Sequence, residues 1–334
     1  MSQLFRYLVL LFLGAAAIQA CRLVDEDLNQ CGRRAVINYE LKLVTDLDTQ
    51  IDTELSEESD VEVAKALKKH LSTVFADYAH DLDLSFYDVK GDSVRLHHES
   101  HIMDANQSSY TIYIPVSKYM HLALANVSLM PSLTFEGYDH CRSSRLTQPV
   151  RDSIDVQDAG LYTARLPMDV KADENQSFLV HLYMANSAVA LIVYPDEDCE
   201  IGDMNVCMTG FATSFDVSDS LYHYDHSPIV RSVEVPVEGS GPKCFASVNL
   251  PSPSEPLVKS GSGKILWEVR AYVTPKGGAT TETTLGLYEP LLAGHLKIIK
   301  VRAKKDGTLE PINDTMAVSV VMEWTPGLNP IIVF

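Results

Sequence analysis

The sequence predicts a mainly β protein of two tandem β-sandwich domains, with one amphipathic helix in the first. Three observations carry that expectation. Apolar and polar residues alternate at a period of two in many short segments, the pattern of half-buried strands. Gly, Pro and Asp turns separate those segments, as in sandwiches rather than in a parallel α/β sheet. Only one stretch repeats at helical spacing. The chain has 334 residues, 46% of them hydrophobic, so it can bury a real core, and its length suggests two domains.

The chain opens with one basic residue, Arg6, then the apolar run 8–17, then Ile18-Gln19-Ala20-Cys21. A basic start, a short apolar run and a small residue before a cut define an export signal over residues 1–20. The run falls short of the roughly 18–20 residues a spanning helix needs. Ile18 and Ala20 sit where a lipobox wants an aliphatic and a small residue, so Cys21 is the expected lipidation site. Two or more acyl chains on that cysteine would give stable membrane anchoring. Residues 21–34 then read as an acidic tether carrying Asp25-Glu26-Asp27.

The first sandwich is expected over residues 35–172. Tyr39, Leu41 and Leu43 alternate with Glu40 and Lys42 in a strand over 36–44. Ser59-Asp60-Val61-Glu62 reads as a capping box for a helix. Val61, Ala64, Leu67, Leu71, Val74, Phe75 and Tyr78 form its apolar stripe, with Lys65, Lys68 and Lys69 on the wet side. Leu82, Leu84 and Phe86 alternate up to a turn at Lys90-Gly91-Asp92, and Val94 and Leu96 alternate after it. Tyr110, Ile112, Ile114 and Val116 mark a further strand, and Met120, Leu122 and Leu124 another. Residues 129–159 lose periodicity, collect prolines and glycine, and read as long loops.

The second sandwich is expected over 173–334, without another helix. Strands are read in 178–194, at Val233, Val235 and Val237, and at Ala246, Val248 and Leu250. The clearest is 265–273, where Ile265, Trp267, Val269, Ala271 and Val273 face one way. Segments 295–303 and 316–324 complete the set around an Asp306-Gly307 turn. Trp267 and Trp324 lie in alternating strands and read as core residues rather than as a glycan platform.

Charge and motifs restrict the chemistry. A formal net charge of −18 at pH 7 repels nucleic acid, which is excluded as a partner. No nucleophile elbow, phosphate loop, dinucleotide fingerprint or zincin motif occurs, so no catalytic residue, cofactor or metal is assigned and the chain reads as a non-enzyme. The nearest approach to a metal set is His97-His98-Glu99-Ser100-His101, which on a strand would put His97, Glu99 and His101 on one face. His223-Tyr224-Asp225-His226 is a second cluster, expected to decorate a loop. Acylation of Cys21 leaves five of the six cysteines, an odd number, so at least one is free or pairs between chains. Cys199 and Cys207 are the candidate disulfide, close enough in sequence to bridge across a turn. The Asn-x-Ser/Thr triplets at Asn106, Asn126, Asn175 and Asn313 matter only in a eukaryote, which the lipobox argues against.

The order of these features resembles the FimB-like fimbrial anchor subunits of Bacteroidetes. The likeness rests on the lipobox cysteine, the tether 25–31, the strand 36–44, the helix, and Leu82-Asp83-Leu84-Ser85-Phe86-Tyr87-Asp88. It extends to Tyr110-Thr111-Ile112-Tyr113-Ile114-Pro115 and the segment 119–126. It covers most of the N-terminal half, and the C-terminal half only as a succession of strands. The resemblance implies transthyretin-like sandwiches, outer-membrane attachment through the N-terminal lipid, surface exposure, and a place at the base of a type V fimbria. It implies fimbrial subunits as partners, joined by strand donation. Arg33-Arg34 is similar to a site for Arg-specific processing, and is read here as a basic flank to the first strand. The alternative is a surface lipoprotein that binds glycan or peptide in a nutrient-capture system. A more distant one is a metal-dependent hydrolase using His97–His101.

Overall fold

The computed structural model describes residues 34–44, 47–56, 61–75, 79–90, 93–103, 107–149, 151–172, 174–238, 241–256, 265–312 and 316–321. The export signal, Cys21, Cys31 and Arg33 lie outside the described residues. So do Ser59 and Asp60 of the expected cap, Tyr78, the Gly91-Asp92 turn, Asn106, Asn313 and Trp324.

The chain begins with β1 (Arg34–Val44), followed by α1 (Leu47–Glu54) and α2 (Val61–Val74). Next come β2 (Asp81–Asp88), β3 (Arg95–Ile102), β4 (Ser109–Pro115) and β5 (Ser117–Ala125). Three short strands, β6 (Thr134–Glu136), β7 (Arg145–Thr147) and β8 (Ser153–Asp155), precede β9 (Tyr162–Val170) and β10 (Gln176–Met184). Seven of these strands form one sheet in the order β3-β2-β5-β9-β10-β1-β4. Within it β1 runs parallel to β10 and antiparallel to β4.

The period-two reading places the core. Ile37 and Tyr39 of β1, Leu82, Leu84 and Phe86 of β2, and Ile112 and Ile114 of β4 turn to one face, where Val63, Leu67 and Leu71 of α2 cover them. On the other face Tyr87 of β2 and Leu122 and Leu124 of β5 are also buried, under Leu146 and Phe215. The sequence pattern does not predict the other helix, α1. It spans only eight residues, too short for a helical period to emerge. Buried Ile51 and Leu55 hold it on the core, and Gln50 fixes its position: the Leu296 N–H donates to Gln50 Oε1 (2.8 Å) and Gln50 Nε2 donates to the Gly294 carbonyl (3.2 Å).

The remaining strands are β11 (Ser187–Pro195), β12 (Ile201–Thr209), β13 (Ser214–Asp216), β14 (Leu221–His223), β15 (Ile229–Arg231) and β16 (Val233–Val235). They continue with β17 (Lys243–Asn249), β18 (Trp267–Pro275), β19 (Thr281–Leu287), β20 (Leu296–Ala303), β21 (Leu309–Pro311) and β22 (Ala317–Val321). A five-stranded sheet, β16-β17-β11-β20-β21, packs on a six-stranded sheet, β22-β19-β18-β12-β15-β8. Val189, Leu191 and Val193 of β11 meet Val206 and Met208 of β12 and Val269 and Ala271 of β18 in this sandwich. The alternate residues Ala188, Ala190 and Ile192 join the cluster that holds α2. Covered on both faces, β11 therefore reads as a continuous apolar run rather than an alternation.

The molecule is mainly β and built of stacked sheets, as expected, and two details of organisation differ. The expected break at 172/173 falls inside the first sheet, because β10 pairs with both β1 and β9; the chain crosses to the next sheet between Met184 and Ser187. The segment 129–159 is not all loop. It supplies β7, which pairs with β13, and β8, which pairs in parallel with β15, so part of the first half is stitched into the second. Strands of three residues are too short to display a period of two.

Candidate interaction surface

In the seven-stranded sheet β3 and β4 are the two edges left free among the described residues, yet they are consecutive in sequence, separated only by residues 103–108. The sheet curls so that its edges approach: the His101 ring on β3 lies 4.8 Å from the Tyr110 ring on β4. Inside the curl His121, fully buried, donates from Nδ1 to the Ser85 carbonyl (3.0 Å), so its Nε2 accepts from the Tyr39 hydroxyl (2.6 Å). Phe86 stacks on the same imidazole at 4.2 Å. Burial pushes His121 down to about 4, despite the Ser85 hydrogen bond, and the ring is neutral near pH 7.

The two edges carry opposite chemistry. On β3, His97 and His101 each donate from Nε2 to one oxygen of Glu99, at 2.8 and 2.9 Å, and His98 donates across to Asp83 at 2.8 Å. His97, Glu99 and His101 do share a face, as the alternation predicts. The two imidazoles take different carboxylate oxygens instead of converging on one point, and among the described residues no His/Cys/Asp/Glu group is placed to hold a metal ion. Inward-facing charge of this kind protects an edge from pairing. By contrast β4, Ser-Tyr-Thr-Ile-Tyr-Ile-Pro, has no charged residue and exposes Tyr113 by 60%. Val36 of β1 and Leu179 and Tyr183 of β10 are more than half exposed on the neighbouring outer face.

A separate cleft of about 440 Å³ lies along Ser153–Asp158, opposite Met130–Ser132. Its lining is polar and aliphatic and includes no aromatic residue. Gln157, 2% exposed, lines it beside Arg151, Asp155, Asp158 and Arg231.

The other residues singled out by the sequence fall elsewhere in the molecule. The expected Cys199–Cys207 disulfide is not formed, and both are free, buried thiols. Cys199 faces the core between the stacked sheets, whereas Cys207 sits on the opposite face of β12 with Ile229 and Tyr272. The strand from Ile201 to Cys207 alone extends roughly 20 Å, and a disulfide requires Cα atoms within about 7 Å. Burial pushes Cys207 up to about 11 and Cys244 up to about 12, which keeps both as unreactive thiols. Trp267 is a core residue, 2% exposed, whose indole donates to the Glu289 carbonyl (2.8 Å). His223 is on β14 rather than in a loop, and its Nε2 donates to Asp216 (2.7 Å), which Arg145 also grips with two nitrogens. Asn126 is buried at a left-handed backbone position (φ 68°), accepting from the His80 N–H and donating to the Gly160 carbonyl.

A curled mixed sheet beside a two-layer sandwich defines a β-sandwich protein. No known family model matches the sequence, and no curated protein matches it. Among solved structures the fold is similar to that of a candidate adhesin from Bacteroides ovatus: 11% identity and a TM-score of 0.51, covering 92% of this chain and 98% of that one. A candidate adhesin from Bacteroides thetaiotaomicron gives 8% and 0.50, covering 87% and 99%. The fimbrial anchor protein Mfa2 from Porphyromonas gingivalis gives 10% and 0.46, covering 87% and 100%. At these identities the likeness is one of fold.

Proposed function

We propose that the chain is a lipid-anchored subunit of a fimbria on the surface of a Gram-negative bacterium, the anchor that holds the polymer to the outer membrane and ends its assembly. The observation that supports this reading is that two features lie close together along the chain. The lipobox cysteine, Cys21, is separated from β1 only by residues 22–33, and β1 lies directly beside the uncharged free edge β4. An extended segment of a neighbouring subunit adds to such an edge through main-chain hydrogen bonds, with alternate side chains giving specificity. Fixing the membrane tether and receiving a strand need no catalysis, which agrees with a sequence that carries no nucleophile or metal motif. A glycan-capture role would call for a concave site lined by aromatic platforms, and the cleft along Ser153–Asp158 has none.

Mass spectrometry of the membrane-associated mature N-terminus tests the reading. Lipid-modified Cys21 is the expected result, with Cys21→Ala releasing the protein from the membrane fraction. A mature form beginning at Ala35 would mean proteolytic release and overturn the anchor role.

A further inference from the structure

The outer face of the seven-stranded sheet is covered over one part only. Over β2 and β5 it lies beneath Leu146 and Phe215. Over β10, β1 and β4 none of the outward residues that alternate with the core is buried. Two apolar pairs mark the ends of this bare face. Val36 of β1 stands opposite Tyr113 of β4, and Val44 of β1 stands opposite Tyr183 of β10. Positions 36 and 44 are roughly 26 Å apart along the strand. The ground between is polar, apart from Leu179: Lys42 projects outward, and Glu40 accepts from Asn38 Nδ2 (2.9 Å) and from Ser177 Oγ (3.3 Å). A protein–protein interface has the opposite layout, an apolar centre within a polar rim.

The charge of this face is the reverse of the molecule's. Arg34 and Lys42 on β1, with Arg165 on β9 and Lys118 on β5 beside them, outnumber the anions Glu40 and Asp169, and Asp169 is itself paired with Lys118 (3.7 Å). The whole chain carries −18. Salt screens charges beyond about 8 Å at physiological ionic strength, so a surface approaching this face meets its local cations and not the distant net charge. The chain before the fold also arrives here. Residues 22–33 lead from Cys21 to Arg34, the first outward residue of the face, and reach at most roughly 40 Å when extended.

We infer that the bare outer face of β10, β1 and β4 rests on a lipid surface, with Tyr113 and Tyr183 seated among the headgroups and Arg34 and Lys42 against their phosphates. Tyrosine suits that depth because its ring is apolar and its hydroxyl stays wet. Lysine and arginine near an anionic leaflet are held by its surface potential. A headgroup layer is itself a mixture of polar and apolar groups, so it accepts a polar centre that a protein partner would have to desolvate. The inference rests on the anchor reading for the presence of a membrane within reach of Arg34. It adds the orientation of the folded part: the face lies down and the β3 and β4 edges stand at its side.

Vesicle flotation of the mature chain from position 21, carrying Cys21→Ala so that no acyl chain holds it, tests the face apart from the tether. Binding to vesicles of phosphatidylethanolamine with phosphatidylglycerol is expected, and at least fivefold less to phosphatidylcholine alone. Tyr113→Ser combined with Tyr183→Ser, and Lys42→Glu by itself, are each expected to cut the bound fraction at least fivefold with unchanged circular dichroism. Tyr288→Ser, at an exposed position elsewhere, is expected to leave it unchanged. The inference is overturned by no flotation, by equal flotation on both lipids, by binding that survives the face substitutions, or by a dimer in gel filtration that the double tyrosine variant abolishes, which would give the face to a second copy. An unbound chain whose Cys21 is lipid-modified in cells removes this inference alone, whereas flotation with an unmodified Cys21 removes the anchor reading alone.

Discussion

His121 shows how a single side chain sets a pH limit on the fold. Its pKa is lowered to about 4 in the folded protein against an ordinary 6.5, so below pH 6.5 the unfolded chain takes up a proton that the native one refuses. Stability contributed by this group is present above pH 6.5 and is lost as the pH falls toward 4, by on the order of 3 kcal/mol. Urea midpoints at pH 7 and pH 4.5 are expected to show that loss in the wild type and a smaller one in His121→Gln, whose amide can still serve Tyr39 and Ser85. Gly210 is constrained differently. It holds φ at +102°, and an added Cβ would lie 2.6 Å from the Trp267 Cα and 2.9 Å from the Leu266 carbonyl oxygen. Gly210→Ala is expected to cost at least about 3 kcal/mol in thermal or chemical denaturation. Neither role is legible in the sequence, because both depend on what the fold brings from distant positions: Ser85 and Tyr39 to His121, Trp267 to Gly210.

At the scale of elements, what is legible is what repeats. Helix α2 is readable from Leu67 and Leu71 because 14 residues give the helical period room to appear. Leu67 is fully buried, and Leu67→Ala is expected to cost about 2–5 kcal/mol in denaturant unfolding. Helix α1 and strands β6 to β8 are not legible, being too short for any period, and what holds them is tertiary: Gln50 on the backbone before β20, β7 against β13. The His97–His101 cluster is legible as a row on one face, but its role as the charged guard of an edge requires knowing that β3 ends the sheet. Glu99→Val removes the inward charge, and light scattering is expected to show concentration-dependent aggregation of the folded variant where the wild type stays dispersed.

At the scale of the whole molecule, the two halves share their interior. Residues of the first sheet, both helices and one face of β11, β17 and β20 belong to a single buried cluster. Alternation conveys that the chain is strand-rich, but not that α2 serves both sides, since periodicity shows that a face is buried and not against what. A fragment of residues 34–184 therefore exposes apolar surface that the five-stranded sheet normally covers. It is expected to give weakly protected amides by hydrogen exchange, unlike the same residues in the full chain. The placing of β1 has a mechanical meaning as well. It is the first described strand, paired with β10 over eight residues on one side and with β4 over seven on the other. A pull on the chain before Arg34, directed along the strand, loads both ladders in shear, so their bonds resist together instead of yielding one at a time as a hairpin peels. Under the anchoring proposed above, drag on the chain before Arg34 would be borne first by β1.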